Sequence, residues 1–376
     1  MNRKSLVVSL VFLSSCLLML GAISANPAPV SASGPTVSQL VKGLEGGSGS
    51  TIGPDGALYV PQTVPGKISR VDPNTGAVTA FASGLPKQLA KVGLGGVMDV
   101  AFIGKTAYAL VTIVGSDLGG SDVVGIYRVD SPDKFTVVAD IGKWAIANPP
   151  PNYPTGYAIA SGVQYAMQPY GNGFLVTDGH HNRIYKVGLD GSITQLIQFG
   201  NLVPTGLALS GDTIYVAQAG PIPHLPENGK IVSFQEKSPT ATQVAAGAPL
   251  LVDVEFGSGR SLYGLSQGTH TNPGEAGSPA DPNTGALVKV NGDGTFAVIT
   301  DGLDRPTSLE LIGNTAYVVT LTGVIYKIEN VSTPAPGQNL PTTGADVPMP
   351  SAAIFLFGFA ALVLGTLLVL KNKMRA

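Results

Sequence analysis

Gly53-Pro54-Asp55-Gly56-Ala57-Leu58-Tyr59-Val60 and the stretch after it, Gly66-Lys67-Ile68-Ser69-Arg70-Val71, decide the fold. A Pro-Asp-Gly turn hands over to a strand ending in Tyr-Val, and a short loop leads to a strand of the form Gly-x-Ile-x-x-Val. The chain repeats this plan. Ala107-Tyr108-Ala109-Leu110 leads to Gly125-Ile126-Tyr127-Arg128-Val129, and Phe174-Leu175-Val176 leads to Arg183-Ile184-Tyr185-Lys186-Val187. Ile214-Tyr215-Val216, Leu262-Tyr263 and Ala316-Tyr317-Val318 lead in turn to Gly229-Lys230-Ile231-Val232, Gly285-Ala286-Leu287-Val288 and Gly323-Val324-Ile325-Tyr326. A shorter strand precedes each pair, as in Asp99-Val100-Ala101-Phe102 and Asp253-Val254-Glu255-Phe256. Six such units, each worth about four strands, read as the blades of a β-propeller.

The first five units carry a fourth strand, at residues 78–81, 135–138, 193–197, 241–245 and 295–299. The sixth ends at Glu329 without one, and a matching strand, residues 37–41, lies ahead of the first unit. The expectation is therefore an all-β, six-bladed ring over 37–329, closed when the N-terminal strand completes the last blade. Closure hides a sheet edge that would otherwise stay open. Residues 26–36 lead into the domain.

The blade plan also predicts where loops point. Turns on one face are short, such as Gly104-Lys105, Gly211-Asp212 and Gly313-Asn314. The other face receives the long second-to-third-strand loops and the links between blades, including residues 85–96 and 143–161. His180, His181, His224 and His270 all fall in those loops, and Asp178-Gly179-His180-His181-Asn182 is the densest polar cluster. Varied loops on a rigid scaffold mark a working face, so Asp178, His180, His181, Asn182, His224 and His270 are the candidate ligand-binding residues. The first residues of the innermost strands, among them Asp99, Gln164, Thr205, Asp253 and Thr307, are placed at the central channel. Asp99, Gln164 and Asp253 could hold a hard divalent cation such as Ca2+ through oxygen. Inner-strand acids can equally accept hydrogen bonds from a neighbouring blade's backbone. No Gly-x-Ser-x-Gly elbow, Walker loop, His-Glu-x-x-His or Cys-x-x-Cys occurs, and no catalytic residue is assigned.

Composition and the two ends of the chain set the context. Only 12% of the 376 residues are charged, the net charge is −2, and there are 49 Gly and 29 Pro. Low charge with many turn formers suits many short strands, and the balance gives no basic face for nucleic acid. Residues 1–25, with Arg3 and Lys4, an apolar run and Ile23-Ser24-Ala25, read as a secretory signal peptide. The single cysteine, Cys16, lies within it, so no disulfide is expected in the mature domain. Residues 330–339 read as a Ser/Thr/Pro stalk. Leu340-Pro341-Thr342-Thr343-Gly344, the apolar run 352–370 and the basic Lys371, Lys373 and Arg375 follow in that order. The run is long enough to cross a bilayer as a helix, and the basic end is expected to stay cytoplasmic. Residues 340–376 resemble an LPXTG cell-wall sorting signal. The resemblance implies a sortase as partner, cutting between Thr343 and Gly344, and the cell wall or membrane as the anchoring site.

Residues 53–78, Asp99–Phe102, Tyr127-Arg128-Val129, Val138-Ala139-Asp140-Ile141-Gly142-Lys143-Trp144 and Pro204-Thr205-Gly206-Leu207-Ala208 resemble the ScyD/ScyE family. That family is similar to the NHL-type and gluconolactonase-like six-bladed propellers, and the resemblance covers most of 37–329. The chain departs from the family's third-blade start, reading Ala160-Ser161-Gly162-Val163-Gln164, and in the loop 178–182 only Asp178 and Asn182 carry over. Two functions stay open. One is a monomeric surface-displayed module that binds a surface ligand, and the other is a metal-dependent lactonase or esterase acting at the channel.

Overall fold

The computed structural model describes residues 34–151, 159–220, 224, 228–271 and 279–332. The segment 1–25 that reads as a signal peptide, the LPTTG motif and the apolar run 352–370 lie outside them. Among the described residues no helix is long and apolar enough to cross a membrane.

Six four-stranded antiparallel sheets make up the domain. Blade 1 holds β2 (Thr51–Ile52), β3 (Leu58–Gln62), β4 (Lys67–Val71) and β5 (Val78–Ser83). Blade 2 holds β6 (Gly96–Ile103), β7 (Thr106–Thr112), β8 (Gly125–Ser131) and β9 (Lys134–Asp140), followed by the short helix α1 (Ile141–Ala147). Blade 3 holds β10 (Gln164–Tyr170), β11 (Gly173–Asp178), β12 (Arg183–Gly188) and β13 (Ile193–Gln198). Blade 4 holds β14 (Pro204–Ser210), β15 (Thr213–Gln218), β16 (Lys230–Gln235) and β17 (Ser238–Ala246). Blade 5 holds β18 (Leu251–Phe256), β19 (Leu262–Ser266), β20 (Gly285–Val290) and β21 (Phe296–Leu303). Blade 6 holds β22 (Pro306–Ile312), β23 (Thr315–Thr320), β24 (Ile325–Glu329) and, as its fourth strand, β1 (Thr36–Val41). The expected closure is present: β1 runs antiparallel to β24, from Thr36 opposite Glu329 to Val41 opposite Ile325. The packed chain continues a little beyond the expected end at 329. Val331 is buried, and its N–H donates to the Asn314 carbonyl at 3.2 Å.

The repeat has a packing cause. Second strands such as β3 and β11 are buried along their whole length, whereas β17, an outermost strand, is largely exposed. Hence the continuous apolar runs in the former and the Ser/Thr-rich composition of the latter. The tyrosines that mark the second strands reach into the next blade's sheet. Tyr59 meets Phe102 edge-on at 4.8 Å, Tyr108 meets Phe174 at 5.0 Å, and Tyr215 meets Phe256 at 5.0 Å. Apolar clusters lie between consecutive blades around the ring, the last joining Tyr317 and Ile325 of blade 6 to Leu58 and Val60 of blade 1.

Polar stitches near the innermost strands reinforce those contacts. Gly49 N–H donates to the Met98 carbonyl at 2.8 Å, Thr177 Oγ1 to the Thr205 carbonyl at 2.7 Å, and Thr205 Oγ1 to the Leu251 carbonyl at 3.0 Å. Ser50 and Ser308 hydroxyls meet at 2.9 Å across the seam between blades 1 and 6. A further apolar cluster gathers Val92, Ile113, Ile159, Val203, Ala219 and Leu250, all from links and second-to-third-strand loops. The expectation that these segments share one face is met by that cluster.

Candidate functional site in the central channel

A cavity of about 130 Å³ runs down the ring axis and takes lining residues from all six blades. Among the described residues four carboxylates face it, Asp99, Asp253, Glu255 and Glu310, and its lining includes no Lys or Arg. Asp99 and Asp253 stand at equivalent places three blades apart and do the same work. Asp99 Oδ1 accepts from Val100 N–H at 2.8 Å, and its Oδ2 accepts from Met167 N–H of the next blade at 2.7 Å. Asp253 Oδ1 accepts from Val254 N–H at 2.9 Å, and its Oδ2 from Leu309 N–H of the next blade at 2.7 Å. Each carboxylate also presses on a glycine of the preceding blade. A Cβ on Gly49 would come within 2.1 Å of Asp99 Oδ1, and one on Gly206 within 2.1 Å of Asp253 Oδ1. Two aspartates thus each span three blades.

Thr205 and Thr307 line the cavity as expected, but Gln164 does not. The Gln164 side chain is fully buried between blades 2 and 3. Its Oε1 accepts from Thr112 Oγ1 at 2.8 Å, and its Nε2 donates to the Ser161 carbonyl at 3.0 Å and to Asp178 Oδ2 at 3.2 Å. The physical reason is the bulge between Gln164 and Met167, which resets the alternation at the top of the inner strand.

Glu255 and Glu310 belong to the channel although neither was singled out from the sequence. Period-two alternation would have found them, since Glu255 follows Asp253, and Glu310 follows Ser308, on the same strand face. Burial, with Asp253 beside it, pushes the Glu255 carboxyl well above the usual range. Burial, then Glu255, Asp253 and Asp99, does the same to Glu310. Asp253 is pushed up by burial to about 7, and Asp99 is raised by burial against its two backbone donors. These acids crowd one another, and some of their charge is suppressed at neutral pH.

The 178–183 cluster has a different environment. Asp178, His180, His181, Asn182 and Arg183 are all buried. Asp178 Oδ1 accepts from the N–H groups of Val163 and His181 at 3.0 Å each, and Oδ2 accepts from Gln164 Nε2 and the Tyr185 hydroxyl. Gly162 lets the carboxylate in: its φ is +77°, and a Cβ there would stand 2.1 Å from Asp178 Oδ2. Ile159 N–H donates to His180 Nε2 at 2.9 Å, while His181 Nε2 donates to the Ile159 carbonyl at 3.1 Å. The two adjacent histidines thus hold both backbone groups of one residue. Arg183 Nε donates to the Tyr185 hydroxyl at 2.9 Å and Nη1 to the Asn148 carbonyl at 2.9 Å, and its guanidinium lies 5.2 Å from the Trp144 ring. Burial alone would raise Asp178, but His181 and the Tyr185 hydroxyl overcome it and hold the carboxyl below its ordinary range. The loop expected to offer Asp178, His180, His181 and Asn182 to a ligand instead buries those side chains, and Asp178, His180 and His181 bond within the protein.

The other two histidines separate. His224 lines the channel, with Nδ1 donating to the Ala219 carbonyl at 3.3 Å, and burial holds it down to about 4. His270 is half-buried and lies outside the cavity lining. Among the described residues no three His, Cys, Asp or Glu side chains converge as metal ligands.

No family model matches the chain, and no curated protein matches it. Solved structures do. A gluconolactonase of Xanthomonas campestris is 13% identical, with 78% of this chain and 89% of that one covered and a TM-score of 0.54. The aldose sugar dehydrogenase of Streptomyces coelicolor in its PQQ-bound form is 14% identical over 79% of this chain and 98% of that one, with a TM-score of 0.51. Virginiamycin B lyase of Staphylococcus aureus is 14% identical over 78% and 98%, at a TM-score of 0.47. At these identities the likeness is one of fold: the chain is similar to propeller-type enzymes of several chemistries.

Proposed function

We propose that the protein is a binding module displayed outside the cell, tethered by its C-terminal sorting signal, with the central channel holding a small ligand that bears a cationic group. The observation behind this reading is the cavity itself: four carboxylates from four inner-strand positions and, among the described residues, no Lys or Arg in its lining. Carboxyl groups kept from ionising by burial and by one another gain a counter-charge when a cation enters, and they then release protons. The N-terminal signal and the LPTTG motif with its apolar run and basic end support the secreted and anchored part of the reading. The test is calorimetric titration of the full chain with putrescine in two buffers of different ionisation enthalpy. Binding that releases protons, and that is lost when Glu255→Gln and Glu310→Gln are combined, is the expected result. Binding without proton release, or unchanged in the double variant, overturns the channel as the site. Replacing Leu340-Pro341 by alanines is expected to move the protein out of the fraction that cell-wall digestion releases.

A second reading, a metal-dependent lactonase or esterase, draws on the same crowding of Asp253, Glu255 and Glu310, whose oxygens are of the hard-cation type. The side chains as folded do not supply its ligand set, since Asp99 and Asp253 oxygens take backbone donors and Gln164 is turned away. Metal analysis of the purified chain separates the two. A stoichiometric divalent cation, lost in Asp253→Asn, together with turnover of a lactone, favours the hydrolase.

A further inference from the structure

His180 is a buried titratable side chain that neither reading of the channel uses. It has no measurable exposure, and its Nε2 accepts the Ile159 N–H at 2.9 Å. That role requires an unprotonated ring nitrogen, because a protonated one has a hydrogen where the incoming N–H must point. Residues 159–163 are held by side chains as well as by two backbone bonds, Gly162 N–H to the Ile159 carbonyl and Gly179 N–H to the Val163 carbonyl. Ile159 is held by His180 and His181, Ser161 N–H by Asp117 Oδ2 at 2.9 Å, and Val163 N–H by Asp178 Oδ1 at 3.0 Å. Ile159 and Val163 in turn belong to the apolar cap on the working face, which also contains Val203 and packs Tyr165, two residues of the channel wall.

We propose that His180 and Ile159 form an acid-sensitive latch: protonation of His180 expels the Ile159 N–H and frees residues 159–163 from the 178–183 turn. The groups facing His180 are Asp178 of β11 and Asp117, which favour its charged form, and His181, which opposes it. Arg183 of β12 is engaged with His181 Nδ1 at 3.0 Å, so its charge stands behind that ring. Burial dominates and holds His180 down to about 4. Once residues 159–163 are released, the ring returns toward an ordinary histidine pKa of about 6.5. Opening is then linked to one proton. The open population rises about tenfold for each unit the pH falls between about 6.5 and 4, and is flat above that range. The latch stands whether or not the channel binds a ligand.

The experiment is hydrogen–deuterium exchange of the full chain at several pH values, corrected for the intrinsic pH dependence of exchange. The expected result is that the peptide spanning Ile159–Val163 opens about tenfold more per pH unit below 6.5, while peptides from β20 and β23 stay protected. In His180→Gln, whose amide oxygen can still accept the Ile159 N–H but does not titrate, that pH dependence is expected to vanish. A flat profile in the wild-type chain, the same slope in the variant, or opening only with the whole domain each overturns the proposal. Should the variant not fold, the His180 ring-carbon shift in the wild-type chain must titrate together with the exchange step. A ring that stays neutral until global unfolding overturns it equally.

Discussion

Asp178 and Asp253 are the same residue type, one at the end of β11 and the other within β18, and they respond to the fold in opposite directions. Asp178 is enclosed by the Val163 and His181 N–H groups, the Gln164 amide and the Tyr185 hydroxyl, and its carboxyl is held below the ordinary range. Asp253 has two backbone donors but shares the channel with Glu255, Glu310 and Asp99, and burial pushes it up to about 7. Burial penalises both charges. The number and kind of donors decide whether the penalty is met. In blade 3 the donors meet the charge of Asp178, while in the channel the carboxyls crowd one another and their charge is left partly uncompensated, and that is why the channel is the better candidate for a ligand.

The contrast breaks most directly at Asp178. Asp178→Ala leaves Arg183 and two histidines buried around a lost carboxylate, and such a break is expected to cost about 3–5 kcal/mol, read by urea unfolding. If the cost were below about 1 kcal/mol, the network would not be holding blade 3. Arg183→Lys comes next. The ammonium cannot keep the Tyr185, Asn148 and His181 contacts or the stack on Trp144, and a loss of roughly 2 kcal/mol is expected. Trp144 is the only tryptophan, so its emission reports this site alone, and an unchanged spectrum in Arg183→Lys would contradict the stack.

The two regions should also respond oppositely to pH. The folded Asp178 carboxyl is depressed, so its contribution is present above about pH 4 and is lost as pH falls. His180, held to about 4, adds to this loss from about pH 6.5 downward, because the unfolded chain binds the proton first. The channel carboxyls are raised, so the folded state binds more protons than the unfolded one above about pH 4. Their effect is a decline in stability as pH rises through their folded values, about 7 for Asp253. Glu255→Gln is expected to flatten that decline and leave the acid limb unchanged. A pH–stability curve in which the variant alters the acid limb instead would overturn the assignment. The smallest effect is expected at Thr205→Val, which removes the hydroxyl stitch from blade 4 to the Leu251 carbonyl at a cost of about 1 kcal/mol.

Legibility in the sequence differed between fold and site for physical reasons. The six-fold plan and the closing strand were readable because each blade repeats the same local pattern of turn, Tyr-Val strand and Gly-x-Ile strand, and residues 37–41 match a strand the sixth unit lacks. The sharing of one face by the long loops followed from topology, and the cap around Ile113, Ile159 and Val203 bears it out. Asp99 and Asp253 were placed at the channel by their position at the start of inner strands, and Glu255 and Glu310 were within reach of the same alternation.

Side-chain direction was not legible in that way. A pair of histidines in a polar loop looks like a ligand site in one dimension. Only the approach of Ile159 from a distant link gave His180 and His181 their partners inside the protein. The bulge after Gln164 likewise took that residue out of the channel, and a bulge depends on how two strands pair. Sequence alone determined the periodic elements and their order, since these rest on local pattern and composition. Tertiary structure decided which polar groups meet donors and which meet one another, because that depends on contacts between residues far apart in the chain.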